Sequence, residues 1–224
     1  MLIQTLQRKG YALAKIVNII AINGSIREGE TDRMLDDMSS QCHQVRACQY
    51  VRTLRQITTI GEWRTVRVAV TKIQLADEWH VPLFFRDQTL PPLVIRLLNV
   101  IVKADGIIMA SPTNWNGPSP AMTNLLAYLE NCEKAEGWPL KDMPVGFGAC
   151  GDTDGCQTTI DRMAATMMHL RCKIVTDGMY YRNTTIQQLD LTGREQEWMN
   201  TDAPLVGTNV LEAALLNKIL GIRP

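Results

Sequence analysis

The sequence predicts a doubly wound α/β domain whose parallel sheet has five strands in the order 2-1-3-4-5, with helices on both faces. Three observations favour this fold. Apolar runs of strand length alternate with amphipathic stretches of helix length, as βαβ units require. No internal repeat or low-complexity run interrupts that alternation. The chain of 224 residues, 46% of them hydrophobic, is also long enough to bury the core of one such domain.

The strands are expected to differ in their burial. Residues 15–22 are β-branched and apolar and end at Asn23, which is typical of a strand buried on both faces. Residues 65–75 alternate polar and apolar side chains, so we expect an edge strand with one solvated face. The three remaining strands are predicted over residues 106–110, 143–148 and 172–175.

Helix signals separate these strands. Thr31 has the side chain of a good N-cap for the first helix, and the Pro-Pro pair at 91–92 is typical of the first turn of the second. A third helix is expected to begin at Pro118 or Ser119. The last two helices are predicted over residues 158–170 and 210–220.

Composition argues against two classes of function. Lysine plus arginine and aspartate plus glutamate both number 23, and a chain without net positive charge is a poor nucleic-acid binder. Residues 1–74 nevertheless hold eleven basic and six acidic side chains, an excess that would suit either an anionic ligand or a solvated helix face. The six cysteines include no C-x-x-C pair, so no metal site is expected.

The chain also lacks the patterns of export and membrane insertion. No apolar run reaches the roughly 18 residues of a membrane span, and residues 1–15 do not read as a signal peptide. We therefore expect a cytoplasmic protein with reduced thiols. We also expect one domain over residues 1–224, with an N-terminal extension (1–14) and a C-terminal tail (180–224) that ends in a helix.

The loop after the first strand has the residue types of a phosphate site. Doubly wound sheets bind ligands beyond the carboxyl ends of their strands, at the switch point between the first and third. A helix start there would offer free N–H groups and the positive end of its dipole. Ser25 and Thr31 would add hydroxyl groups, Arg27 a charge-assisted hydrogen bond and Gly29 room for close approach. Glu30 must point outward or offer only its N–H, and the alternative is an ordinary βα turn with an N-cap.

The loop after the third strand, residues 111–119, is long for an α/β connection and is stiffened by two prolines. Trp115 is a large aromatic side chain that would flank a planar ring. The alternative is a partly buried anchor at the edge of the sheet. Backbone amides from Thr113 to Gly117 would hydrogen-bond a heterocycle.

The loop after the fourth strand, residues 149–155, begins with small residues that suit a flat ring lying against it. Residues 146–151 formally match G-x-G-x-x-G. A dinucleotide fingerprint leads straight into a helix, whereas Asp152 and Asp154 follow here and would repel a pyrophosphate. We therefore do not interpret the match as a dinucleotide site.

In these loops the chain resembles the flavodoxin-like NAD(P)H-dependent FMN reductase family, over roughly residues 16–175. The resemblance implies a flavodoxin-like fold, FMN as cofactor, and NADPH or NADH as co-substrate. It also implies a homodimer or homotetramer that passes hydride to an acceptor such as a flavin or a quinone. The residues that carry it are Asn23-Gly24-Ser25-Ile26-Arg27, Ala104-Asp105-Gly106-Ile107-Ile108, Ser111-Pro112-Thr113, Gly117-Pro118-Ser119, Asn124 and Pro144 to Gly155.

The resemblance also assigns roles to residues of the three loops. Ser25, Arg27 and Thr31 would hold the FMN phosphate, together with Gly29 and Glu30 of the same turn. The isoalloxazine ring would lie against the other two loops, at Ser111, Pro112, Thr113, Asn114, Trp115, Asn116, Gly117, Cys150, Gly151 and Asp152.

No catalytic side chain is expected, because the flavin itself carries the redox chemistry. A backbone N–H of Asn116 or Gly117 would tune it. The chain departs from the family pattern at Glu30, where relatives often have Asn or Ser. Between His80 and Asp105 there is no cysteine, so an iron–sulfur cluster is not expected.

Three other functions compete with the reductase. Residues 117–121 nearly match the G-x-S-x-G of serine hydrolases, but a nucleophile elbow must follow its strand directly. An FMN-binding electron carrier would act without nicotinamide, and a flavodoxin-like interaction module would have lost FMN. Single-electron carriers tend to be acidic, so the zero net charge favours the reductase.

Overall fold

The computed structural model describes residues 16–26, 28–43, 67–76, 79–85, 89–136, 138–151, 155–183 and 194–222. Five parallel strands lie in these ranges and form one sheet in the order β2-β1-β3-β4-β5. The predicted fold class and strand order are therefore confirmed. The strands are β1 (Ile16–Asn23), β2 (Arg67–Gln74), β3 (Gly106–Pro112), β4 (Pro144–Gly151) and β5 (Lys173–Asn183).

The described α-helices cover both faces of the sheet, as a parallel sheet requires. Pro92 opens the second helix and Pro120 the third, at positions where the missing N–H is not needed. A short 3-10 turn (Gln41–His43) extends the first. The helices are α1 (Glu30–Ser40), α2 (Pro92–Val102), α3 (Pro120–Glu136), α4 (Cys156–His169) and α5 (Arg194–Leu220).

Two elements are longer than predicted. α5 begins at Arg194 and not at Val210, because the helix runs through Pro204, a residue that normally ends one. β5 continues to Asn183 and not only to Val175. Its partner strand shifts register between Val145 and Phe147, so the turn-like Asp-Gly pair at 177–178 lies within a strand irregularity.

The sheet separates two apolar layers. α1 and α5 pack on one face, where Met34 and Val206 are fully buried, and α2, α3 and α4 pack on the other. Glycines in β4 allow this close packing. A Cβ on Gly146 would meet Val206, and one on Gly148 would meet the Met38 sulfur. These two glycines of the G-x-G-x-x-G match therefore lie inside a strand and serve packing.

Asp105 fixes the start of β3. Its carboxylate accepts the Asn18 N–H at 2.7 Å and pairs with Lys218 Nζ of α5 at 3.0 Å, and its side chain is only 6% exposed. We expect Asp105→Asn to lower the free energy of unfolding by about 2 kcal/mol, because Lys218 loses its counter-charge in a buried setting. Urea denaturation measures this, with Asp161→Asn on the exposed side of α4 as control. Equal transition midpoints for both variants would contradict the assignment.

The described residues contain neither a membrane-spanning helix nor a cluster of metal-ligating side chains. No helix in these ranges is long and apolar enough to cross a membrane. No three histidine, cysteine, aspartate or glutamate side chains among them cluster as metal ligands do. Residues 1–15 and 184–193, which hold the expected N-terminal extension and part of the expected tail, lie outside the described ranges. The single-domain organisation stays a prediction.

Candidate functional site

Three loops meet at the carboxyl edge of the sheet. Loop A (residues 24–29) joins β1 to α1, loop B (113–119) joins β3 to α3, and loop C (152–155) joins β4 to α4. β1 and β3 are neighbours in the sheet although β2 comes between them in the chain. Their ends form the topological switch point at which doubly wound folds bind ligands. Arg27 of loop A and residues 152–154 of loop C lie outside the described residues.

Loop A is held by the strands on either side of it. Asn23 is fully buried, and its Oδ1 accepts the N–H of Ser25 at 2.9 Å. The Gly24 N–H donates to the Ala110 carbonyl of β3 at 2.8 Å. From the other side, Gln74 Nε2 of β2 donates to the Ser25 carbonyl at 2.6 Å. Three hydrogen bonds within the protein thus fix the start of loop A.

The N-terminus of α1 lacks a side-chain cap. The helix begins at Glu30 with Gly29 as its N-cap, so the prediction that Thr31 is the N-cap was wrong. Thr31 instead lies in the first turn and is only 5% exposed. Among the residues that the structure describes, none forms a hydrogen bond with its hydroxyl group. A buried hydroxyl at a helix start, where the first N–H groups have no acceptor within the helix, is a receptive place for an anion.

The acidic residues of this first turn are each paired. The Glu30 carboxylate accepts a hydrogen bond from Arg33 at 2.7 Å, so it points along the helix as the sequence analysis required. The Asp32 carboxylate lies 2.8 Å from Lys72 Nζ and 2.8 Å from Asn23 Nδ2. Neither carboxylate presents an uncompensated charge to the start of α1.

Loop B contains a tight hairpin turn. The Asn114 N–H donates to the Gly117 carbonyl at 2.8 Å and the Gly117 N–H returns to the Asn114 carbonyl at 3.1 Å. The two central residues, Trp115 and Asn116, have φ of 48° and 59°, as in a type I′ turn. Trp115 is fully exposed at the tip, so the alternative of a partly buried anchor was wrong. A tryptophan in this conformation is uncommon, and such strain concentrates at functional sites.

Most of the loop B amides predicted to bind a heterocycle are already used. The Thr113 N–H donates to the Cys150 carbonyl at 2.7 Å, while those of Asn114 and Gly117 close the turn. The Gly117 N–H is therefore used within the turn, and of the two N–H groups expected to tune the ring this favours that of Asn116. Within the described part of the chain, the N–H groups of Trp115 and Asn116 have no acceptor and remain available.

Hydrogen bonds join loop B to loop A, and the surface formed by these two loops and Gly155 of loop C is called the ledge. Ser119 Oγ donates to the Gly24 carbonyl of loop A at 2.6 Å and accepts the Met122 N–H at 3.1 Å, which caps α3. The Ser119 N–H donates to Ser111 Oγ at 2.9 Å. Ser119 is thus a buried structural residue, and the serine-hydrolase alternative has no nucleophile there.

Loop C approaches loop B through small groups. Gly155, the N-cap of α4, has φ 79°, and a Cβ on it would collide with Asn116. Cys150 and Gly151 lie at the end of β4 and not in the loop. The Cys150 side chain is buried in the apolar layer that contains α1 and α5, so only its backbone faces the ledge.

The comparison with known families agrees with this geometry. The sequence model of a family described as NADPH-dependent FMN reductase matches residues 17–185, which include all three loops. The chain belongs to this family. Its members use FMN with NAD(P)H as co-substrate, so the protein is an FMN-dependent NAD(P)H oxidoreductase with a flavodoxin-like fold.

Solved structures of flavoproteins share the architecture. RosB, with a bound 8-demethyl-8-formylriboflavin-5′-phosphate intermediate, is 14% identical with a TM-score of 0.66 over 90% of this chain and 80% of its own. An oxidoreductase from Corynebacterium diphtheriae is 14% identical with a TM-score of 0.63 over 92% and 99%. The NAD(P)H:(acceptor) oxidoreductase FerB from Paracoccus denitrificans is 12% identical with a TM-score of 0.54 over 87% and 97%. At these identities the similarity shows the fold alone. No curated protein sequence matches this chain.

Proposed function

We propose that the ledge of loops A, B and C is the FMN site of this oxidoreductase and that hydride passes from NAD(P)H to a small planar acceptor, such as a free flavin or a quinone. The phosphate would lie at the start of α1, held by Ser25, Arg27, Thr31 and the N–H groups of Gly29 and Glu30. The ring would lie on the ledge against residues 111–117, Cys150 and Gly151, and Asp152 is proposed as a further contact.

The observation that carries the phosphate position is the buried Thr31 hydroxyl without a partner in the described residues. An unsatisfied buried hydroxyl costs about 1–3 kcal/mol, and a protein rarely keeps one unless a ligand satisfies it. The same helix start has no side-chain cap, and its first N–H groups have no acceptor within the helix. A phosphate meets both needs, because its oxygens accept several hydrogen bonds at once.

The ring position is supported by the shape and exposure of the ledge. A backbone hydrogen bond between Thr113 and Cys150 joins the two strand ends at this surface. Trp115 at the tip of loop B is fully exposed and Ile26 of loop A is 71% exposed. These two apolar side chains would border a flat ring and leave its outer face open to a nicotinamide or a planar acceptor.

Bound FMN supplies the redox chemistry of the reaction, and the protein supplies position and electrostatics. Loop A orients the cofactor through its phosphate end. The available N–H of Asn116 would donate to the ring, while Gly155 keeps the space beside Asn116 free of a side chain. No side chain acts as an acid or base in this proposal.

Anaerobic titration of the FMN-loaded protein with NADPH and then NADH tests the function. We expect the flavin absorption band to bleach with a nicotinamide alone and to return when free FMN or a benzoquinone is added. Bleaching that requires a protein donor would favour the electron-carrier alternative. Absence of any flavin binding would favour the interaction module. The expected homo-oligomeric state is a separate proposal, which light scattering of the same sample checks.

Trp115 offers a test of where the ring lies. We expect Trp115→Ala to weaken the binding of FMN and of riboflavin by the same factor, about three- to tenfold, because an aromatic contact contributes about 0.5–1.5 kcal/mol to the binding free energy. Quenching of flavin fluorescence measures both dissociation constants. Trp115→Phe keeps a ring at the tip and should change them less than threefold. If only FMN binding weakened, Trp115 would act on the phosphate and the proposed ring position would be wrong.

A further inference from the structure

A chain of four polar groups runs from the edge of the sheet to loop A. Lys72 on β2 places its Nζ 2.8 Å from Asp32 Oδ1 and 2.7 Å from Asp36 Oδ1. Asp32 Oδ1 accepts a hydrogen bond from Asn23 Nδ2 at 2.8 Å. Asn23 Oδ1 in turn accepts the Ser25 N–H at 2.9 Å. The exposed edge strand is thereby connected to the residue that opens the proposed phosphate loop.

The connection fixes the orientation of a buried amide. Asn23 is fully buried, and a side-chain amide can donate only from its nitrogen. Because the nitrogen must face the Asp32 carboxylate, the oxygen must face the Ser25 N–H. Ser25 is held in this way at the turn out of β1, with its own side chain 8% exposed. The Asp32 carboxylate therefore sets the orientation of the Asn23 amide, and through it the hydrogen bond that holds Ser25 at the start of loop A.

The negative charge of the Asp32 carboxylate would also repel a phosphate bound at loop A. Asp32 lies in the first turn of α1, where a bound phosphate would be its neighbour. Two anions at one helix start repel each other unless a cation offsets one of them. Lys72 is that cation, because its ammonium group touches Asp32, whose side chain is only 20% exposed. The second aspartate, Asp36, is 60% exposed and lies a turn further from the helix start.

The charge state of Lys72 suits this role. Partial burial lowers the pKa of Lys72, but the hydrogen bonds and charges of Asp32 and Asp36 outweigh it and hold the pKa above its usual value. Lys72 is therefore a cation throughout the neutral pH range. It lies on β2, at the outer edge of the sheet, and acts on loop A only through Asp32.

We propose that Lys72 is a positioning residue for the FMN phosphate: through Asp32 and Asn23 it holds loop A in its phosphate-accepting path, and it offsets the Asp32 charge beside the helix start. This inference rests on the proposed placement of the phosphate at loop A. It adds a residue that lies on another strand and does not touch the ligand.

Flavin affinity tests the inference without any turnover. FMN and riboflavin differ only by the phosphate, so their dissociation constants separate phosphate binding from ring binding. We expect Lys72→Met to weaken FMN binding about tenfold and riboflavin binding less than twofold. Lys72→Arg should keep the FMN dissociation constant within about threefold of the wild-type value. Unchanged riboflavin binding also shows that the variant is folded. The matched control is Lys173→Met, which removes an edge-strand lysine paired with Asp142 at 3.1 Å at the other end of the sheet.

A double-mutant cycle shows whether Lys72 acts through Asp32. In an Asp32→Asn background the charge to be offset is gone, so Lys72→Met should change FMN affinity less than about twofold. The same tenfold loss in both backgrounds would overturn the inference, as would equal losses for FMN and riboflavin. A wild-type protein that binds FMN no more tightly than riboflavin would instead refute the proposed phosphate position itself.

Discussion

Gly207→Ala is expected to lower the free energy of unfolding by about 3 kcal/mol, although Gly207 lies inside α5. In an exposed helix interior the same change would stabilise the helix by about 1 kcal/mol. Here the new Cβ would collide with the Met38 carbonyl oxygen of α1 and lie 3.2 Å from Cys42 Sγ. A backbone oxygen cannot move aside as a flexible side chain does, so the two helices must separate.

Separating the two helices would also break a hydrogen bond between them. The Cys42 thiol donates to the Gly207 carbonyl at 3.4 Å, and burial raises the pKa of this thiol to about 12, so it stays protonated. Urea denaturation of Gly207→Ala against wild type measures the loss. Leu205→Ala, at a 39% exposed position two residues earlier in the same helix, should change the free energy of unfolding by less than about 1 kcal/mol. A higher midpoint for Gly207→Ala would show that helix propensity prevails and that α1 and α5 pack less closely than described.

Thr31→Val is expected to stabilise the protein without cofactor and to weaken its binding of FMN. The variant keeps the branched shape but removes a buried hydroxyl that has no partner in the described residues. Its free energy of unfolding without cofactor should rise by about 1 kcal/mol, because an unsatisfied group leaves the interior. Its FMN dissociation constant should rise about ten- to a hundredfold, because a hydrogen bond to a charged phosphate contributes about 1.5–3 kcal/mol.

Riboflavin provides the control ligand for Thr31→Val, and its dissociation constant should change less than about twofold because it lacks the phosphate. Thr166→Val provides the control residue. The Thr166 hydroxyl donates to the Arg162 carbonyl on the exposed side of α4 at 3.2 Å, so its loss should affect neither ligand. An apoprotein destabilised by Thr31→Val, with FMN binding unchanged, would mean that the hydroxyl has a structural partner and no ligand.

The sequence was sufficient for the sheet order because periodicity reports burial directly. Residues 15–22 and 106–110 are largely apolar runs of strand length, and they correspond to the inner strands β1 and β3. The alternating run at 65–75 became the edge strand β2. Helix-breaking and turn-forming residues gave wrong element boundaries where tertiary packing prevailed over their local preference. Pro204 hid the first half of α5, and the Asp-Gly pair at 177–178 hid the second half of β5.

The site was partly predictable, for a similar reason. Ser25 and Thr31 are recognisable as hydroxyl groups that follow a strand, and the structure places Ser25 in loop A and Thr31 in the first turn of α1. The conformation of Trp115 was not predictable, because hairpin turns of this type usually carry Asn-Gly and not Trp-Asn at their centre. Lys72 was missed because its partner Asp32 lies forty residues earlier, and only the pairing of β1 with β2 brings them together.

The close crossing of α1 and α5 has a consequence for how the protein is handled. The segment matched by the family ends at residue 185, before α5 begins at Arg194. α5 nevertheless covers the sheet face formed by Val17, Ile19 and Ile108. A fragment trimmed to the matched segment would expose that face to water. It would also lack the helix that packs against α1, whose start is proposed to bind the FMN phosphate. Such a fragment would aggregate and purify colourless.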